Sequence, residues 1–165
     1  MCLSRQQKKI EKIMPFLTKP QITNLTIHAN LFSICFYTHP ELFKRINQVY
    51  AKIKEKNGYI NIIQGIQETS LIVDENFKDL VYKKIQAPIK NQCKEEMASL
   101  NIELDEKVYN TPGQFYSLIQ AISFQGINIR EITSAFKEVI IYVDQKDIKC
   151  AFDTIYNSFV SKKEN

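Results

Sequence analysis

Four landmarks recur in the same order, about seventy residues apart. Pro40 is matched by Pro112. Gly58 and Gly126 each precede an Ile-Asn-Ile triplet, at 60–62 and 127–129. Val73-Asp74 is matched by Val143-Asp144. Each landmark falls at the same kind of junction, a helix start, a helix end or a strand-to-helix turn. A chain that repeats its punctuation in this way must build the same supersecondary unit twice.

The hydrophobic pattern identifies the unit. Phe32, Ile34 and Phe36 alternate with Ser33, Cys35 and Tyr37, the period of a half-buried strand. Leu42, Ile46, Val49, Tyr50 and Ile53 then line one helix face, with Gly58 as its C-terminal stop. Residues 59–64 and 70–73 read as strands. Asp74 is placed to cap a helix carrying Phe77, Leu80, Val81 and Ile85. The second half follows suit. Leu100, Ile102 and Leu104 alternate in a strand over 97–104, and Thr-Pro-Gly opens a helix with Phe115, Leu118, Ile119 and Ile122. Strands follow at 127–132 and 138–143, and Asp144 caps a helix bearing Ile148, Ala151, Phe152, Ile155 and Phe159. Each half is therefore β-α-β-β-α and needs one more strand to close a ferredoxin-like layer.

Residues 88–93 can close the first half. Nothing after residue 160 can close the second. The remaining extended stretch is 22–27, before a turn marked by Asn30, so it is expected to cross over and close the second unit. The expected fold class is α+β, with two interlocked ferredoxin-like (βαββαβ) units, antiparallel sheets and an N-terminal helix over 3–17. The helix carries Ile10, Ile13, Met14 and Leu17 after a capping-box spacing of Ser4 and Gln7. The expected domains are 1–20 (helix and linker), 21–93 and 94–165.

Composition narrows the function. With 22 basic against 18 acidic residues in 165, the net charge of +4 is mild for a nucleic-acid binder, and no aromatic stacking signature of an RNA-binding sheet is present. Cys2, Cys35, Cys93 and Cys150 form no CxxC pair, so no metal site is expected. His28 and His39 lack a ligand-spaced Cys or carboxylate and read as turn or surface residues. Ser117, Ser123 and Ser134 have no implied His-Asp partners. No cofactor motif occurs. Residues 4–12 are polar and charged, unlike a signal peptide, and no apolar run could span a bilayer, so the expected location is the cytoplasm.

The order of Pro-Gly, Gly-Ile-Asn-Ile and Val-Asp resembles the ACT domain. The whole arrangement resembles the paired ACT regulatory region of aspartate kinases. Residues 110–152 resemble that family's second ACT unit, 31–64 a diverged first unit, 94–105 the junction and 22–34 the opening segment. In that family the opening segment also completes the second unit. The resemblance covers about residues 20–160. Aspartate kinases carry an ATP-binding domain before this region. Here about twenty residues precede it, with no glycine and no phosphate-cradling loop, so a stand-alone regulatory module is expected and not an enzyme.

The resemblance also implies a site. ACT domains commonly hold an amino-acid effector between the helix start and the strand after that helix, often where two units meet. Carried over, the site comprises Thr111, Pro112, Gly113 and Gln114 with Asn128, Ile129 and Arg130. The residues suit this. First-turn N–H groups attract a carboxylate, and glycine lets a ligand approach the backbone. Arg130 departs from the acidic or amide residue more usual in those kinases, and would oppose a cationic effector. The matching positions in the first unit are His39, Pro40, Glu41, Asn61, Ile62 and Ile63. There Glu41 would repel a ligand carboxylate and Ile63 offers no polar group, so this second site is expected to be degenerate and mainly structural.

The function expected is regulatory. The chain would form a homodimer, bind a small amino acid at the unit or dimer interface and modulate a partner enzyme of aspartate-pathway metabolism, without nucleic acid or membrane. The alternative is a scaffold whose ACT pair no longer binds ligand.

Overall fold

The computed structural model describes residues 20–86, 89–106 and 113–160, with the backbone alone over 89–94. The expected N-terminal helix lies outside these residues. The elements run β1 (Ile22–Tyr37), α1 (Pro40–Glu55), β2 (Ile60–Gln64), β3 (Glu68–Asp74), α2 (Lys78–Lys84), β4 (Ile89–Leu104), α3 (Gln114–Phe124), β5 (Ile129–Ala135), β6 (Glu138–Asp144) and α4 (Ile148–Ile155). Short 3-10 turns precede α2 and α4, and a π turn follows α4.

Two compact units result. Among the described residues, one comprises 28–86 and 89–99 with 144–146, the other 20–27, 100–106, 113–143 and 147–160. The divisions fall inside the 16-residue strands β1 and β4, so each long strand serves both units. In the first unit the strand order is β2-β3-β1-β4; in the second it is β1-β4-β6-β5. Both are the ferredoxin-like order, with β2 pairing β3, β3 pairing β1 and β5 pairing β6 antiparallel. The second unit has β1 as its closing strand. Thr23 Oγ1 donates to the Glu103 carbonyl at 3.2 Å, and Asp105 N donates to the Gln21 carbonyl at 2.8 Å. Ile22 and Leu25 pack against the second core.

Periodicity explains both cores. In the first unit Leu42, Ile46, Val49 and Ile53 bury one stripe of α1 against Phe32, Ile34, Phe36, Leu71 and Val73. In the second, Leu118 and Ile122 of α3 meet Leu100, Ile102, Leu104, Val139, Ile141 and Val143. Two expected core residues are instead on the outside: Tyr50 is 44% exposed and Phe115 41%. Both stand one position past the stripe, where an aromatic ring can lie along the surface.

Asn30 does not turn the chain. It takes a left-handed conformation, φ 56°, inside continuous β1, and its N–H donates to Gln145 Oε1 at 2.7 Å. Asparagine tolerates this region better than most residues. Glu96 does the same in β4, φ 54°, where the stretches 88–93 and 97–104 prove to be parts of one strand from Ile89.

The matched glycines differ. After α1 the left-handed residue is Asn57, φ 53°, not Gly58. Gly58 is small for packing: a Cβ there would overlap the Phe77 ring and come within 2.8 Å of Ile53 Cγ2. Gly126 is left-handed, φ 72°, with nothing within 4 Å of an added Cβ.

Candidate functional site

Helix α3 opens on Gly113, which is left-handed at φ 89°, ψ 2°. The glycine therefore first serves backbone conformation, since a side chain there would be strained. Its carbonyl accepts the first helical bond, from Ser117 N at 3.1 Å. Among the described residues no side chain caps the helix, and no acidic residue stands in its first turn. Gln114 follows and is buried, 4% exposed. Thr111 and Pro112 lie outside the described residues.

The rest of the expected site is elsewhere. Asn128 and Arg130 are exposed and Ile129 is half-buried. They follow the end of α3, whereas Gly113 precedes its start. The 11-residue helix between them is about 16 Å long. One small amino acid cannot touch both ends within one chain. A ligand using both groups needs the helix start of one unit and the strand start of another.

Sheet register also corrects the position of Arg130. Ile60 faces Val73 and Ile129 faces Val143, so Ile60 and Ile129 are equivalent. The next pairs are Asn61 with Ile72 and Glu131 with Tyr142, with a register shift between Ile129 and Glu131. Arg130 thus falls at a register irregularity and has no paired counterpart in the first unit; Ile63, facing Ser70, does not occupy its place. β5 ends the strand order of the second unit, and an irregular, charged edge strand resists indiscriminate pairing.

The first unit presents a different helix start. His39 precedes α1 with extended backbone, φ −154°, and makes no side-chain cap; Pro40 occupies the first turn. Glu41 is there too, and its carboxylate pairs with Lys44 Nζ at 2.7 Å. The charge at this helix start is held locally by the chain itself. Asn61, Ile62 and Ile63 run along β2 and are half-buried.

Asp74 departs from its expected role. It makes no side-chain cap to the turn that follows. Its Oδ1 lies 2.6 Å from His28 Nε2, its Oδ2 accepts the Tyr59 N–H at 2.7 Å, and the His28 ring sits 4.5 Å from the Tyr59 ring. His28 is therefore a tie between the strands of the first unit rather than an isolated surface residue. Asp147, not Asp144, stands at the N-cap of α4, again without a side-chain cap bond. Asp74→Ala is expected to cost about 1–3 kcal/mol, because it strips an acceptor from a part-buried N–H and from His28. Asp147→Ala should stay within about 0.5 kcal/mol. Urea unfolding of both variants checks the contrast.

An open cavity of about 410 Å³ lies in the second unit, on the sheet face opposite the helices. Asn24 and Thr26 of β1, Asn101 and Glu103 of β4 and the β5–β6 hairpin line it. Alternation explains the floor: Leu100, Ile102 and Leu104 enter the core, so Asn101 and Glu103 point the other way. The hairpin turns on Phe136 and Lys137, with Phe136 left-handed at φ 51° and 57% exposed. Lys137 Nζ pairs with Glu103 Oε1 at 2.6 Å. That hydrogen bond, and then the Glu103 charge, hold the Lys137 ammonium above its usual pKa. Asn101 Oδ1 is buried with no hydrogen-bond partner. A second cavity, about 360 Å³, lies between α3 and α4 and is lined by Gln120, Phe124, Thr154 and Phe159 among others. Neither cavity is lined by Gly113, Gln114, Asn128, Ile129 or Arg130. The sequence signal for the first was a polar register opposite the core residues of β4, beside an aromatic at a hairpin tip.

Strand order, helix placement and the doubled unit define a tandem ACT fold, the fold of aspartate kinase regulatory regions. Solved structures agree. Aspartate kinase from Clostridium acetobutylicum is similar with a TM-score of 0.68 at 19% identity, covering 86% of this chain and 35% of that one. The regulatory subunit of aspartate kinase from Thermus thermophilus, in its ligand-free form, gives 0.65 at 16% identity, covering 84% and 98%. Aspartokinase III from E. coli, in complex with lysine and aspartate, gives 0.61 at 12% identity, covering 88% and 34%. The chain thus spans about a third of the two complete kinases and nearly all of the regulatory subunit. No protein-family model matches the chain, and no curated protein does. Among the described residues no helix is long and apolar enough to cross a membrane.

Proposed function

We propose that this chain is a cytoplasmic regulatory module, not a catalyst, that binds a small amino acid and modulates a partner enzyme of aspartate-pathway metabolism. The glycine-initiated start of α3, with no acidic residue in its first turn, carries this reading. Its first-turn N–H groups and the positive end of the helix dipole suit a carboxylate. The likeness to aspartate kinase regulatory regions supports the regulatory role, and the complex of aspartokinase III with lysine and aspartate supports the ligand class.

The ligand would complete its contacts at Asn128, Ile129 and Arg130 of a second copy, since one chain holds these at the far end of α3. A homodimer is therefore part of the proposal. Arg130 would pair with an acidic side chain on the effector. Ligand binding would act by favouring one arrangement of the dimer over another, which requires different affinities for the two.

A second reading is a scaffold without ligand. The Glu41–Lys44 pair at the first helix start favours it for that unit. Thermal denaturation against the twenty amino acids separates the two. An effector at 100 times its dissociation constant adds about 2.7 kcal/mol to stability. Gly113→Glu should remove that response, with Gly113→Ala as the control for backbone strain. A flat panel at millimolar concentrations favours the scaffold, and a response that survives Gly113→Glu places the ligand elsewhere.

A further inference from the structure

We propose that the chain's own residues 3–14, as an amphipathic helix, dock in the groove between α3 and α4 of the second unit. Docking there is independent of any effector at the start of α3.

The groove suits an apolar occupant. Ala121, Phe124 and Phe159 supply its apolar wall, and the rest of its lining is neutral serine, threonine and glutamine. α3 carries no charged residue along its 11 positions, whereas Lys44, Lys52 and Lys54 stand exposed on α1. Phe124 is nevertheless 78% exposed at the groove, and Tyr116 of the same helix is 56% exposed. Charge depleted and aromatics enriched is the composition of an interface centre, and a solvated helix face has the opposite.

The chain leaves the unit at the end of this groove. Asp105 N donates to the Gln21 carbonyl, so β1 starts beside the end of β4. Leu104 N donates to the Lys137 carbonyl, so β6 starts at that end too. α4 follows β6 and runs back, returning Tyr156–Val160 to the same end, where Ser158 and Phe159 line the groove. Ile22 and Phe159 accordingly pack against one core.

The amino-terminal sequence fits the space. Leu3, Ile10, Ile13 and Met14 share one side of a helix, with Lys8 and Lys12 opposite. Pro15 interrupts the hydrogen bonding, so the regular helix is expected over 3–14. It would span about 18 Å, against about 16 Å for α3. Residues 15–20 then reach about 20 Å, enough to cross one helix layer. Five basic residues against one acidic stand in residues 1–19, and in this pose Lys8 and Lys12 stay in water. So short a tether gives an effective concentration in the millimolar range, and a weak apolar contact then suffices to hold the segment.

The test is amide hydrogen exchange on the full chain. Residues 3–14 should exchange roughly tenfold more slowly than in a peptide of residues 1–19, at every protein concentration. Ile10→Asp with Ile13→Asp should remove that protection, and Lys8→Gln with Lys12→Gln should keep it. On the groove side, Phe124→Lys alters an exposed residue. It should leave exchange in β4 and β6 unchanged and still remove the protection of 3–14. Amide NMR shifts between the wild type and the Ile10→Asp, Ile13→Asp variant should cluster at 117–125 and 154–159. Residues 3–14 exchanging as in the free peptide would overturn the proposal. So would protection that survives Phe124→Lys, or that disappears on dilution, which would put a second copy in the groove. Protection that arises only with phosphatidylserine vesicles present would assign the segment to a membrane surface and overturn it as well.

Discussion

Gly58→Ala is expected to lose about 1–3 kcal/mol of stability through overpacking, because the new methyl meets a closed wall. It would overlap the Phe77 ring and lie 2.8 Å from Ile53 Cγ2. Phe77 is itself in the first core, 7% exposed, so the ring has little room to withdraw. Gly126→Ala meets nothing within 4 Å and carries only the penalty of φ 72°, about 1–2 kcal/mol. The two costs overlap in size but differ in origin, and a second mutation separates them. Phe77→Leu should recover part of the loss in Gly58→Ala, while leaving Gly126→Ala unaffected. Additive behaviour of Gly58→Ala and Phe77→Leu in urea unfolding would contradict the packing explanation, since contacting residues couple.

A larger loss is expected from the buried helix stripes. Ile46→Ala in α1 and Ile122→Ala in α3 each remove a fully buried side chain from one core. Each should cost about 2–5 kcal/mol, the lost transfer energy plus that of the cavity left behind. Because β1 and β4 contribute to both units, disruption of either core pulls on strands that the other uses. Both variants should therefore lower the midpoint of one shared transition. Two separable transitions, with only one shifted in each variant, would count against that coupling. Tyr50→Ala and Phe115→Ala, which sit outside the stripes, should cost far less.

Most of the fold was legible because periodicity reports burial directly. Leu42, Ile46, Val49 and Ile53 state their helix and their face without help. What stayed hidden was whatever depends on a partner distant in sequence. Asp74 before a helical segment has the pattern of a cap, yet it is claimed by His28, 46 residues earlier, and by the backbone of Tyr59. Gly58 and Gly126 are the same letter at the same junction, one required by a neighbouring ring and the other by its own φ. Asn30 has the chemistry of a turn, and only its place within β1 makes it a kink.

The site was less legible for a related reason. The Ile-Asn-Ile triplets align by letter, but register against β3 and β6 sets them out of step. The register equivalent of Ile60 is Ile129, two residues past its match by letter, and beyond the irregularity between Ile129 and Glu131 the offset is three; such shifts have no sequence signature of their own. The open cavity escaped because its floor residues, Asn101 and Glu103, read as the ordinary polar half of an alternating strand. Gly113 was singled out as the place where a ligand would approach the backbone. Its left-handed φ gives it a structural role that holds with or without a ligand.

The long strands have a consequence for how such a chain can be inherited. The repeat visible in the letters runs from one Pro to the next. The body that folds takes its closing strand from residues before the first repeat begins. A recombination joint placed between the repeats would deliver a second half with an open edge and an exposed core. The two copies can diverge in sequence, as Glu41 and Gly113 have, but they must travel together.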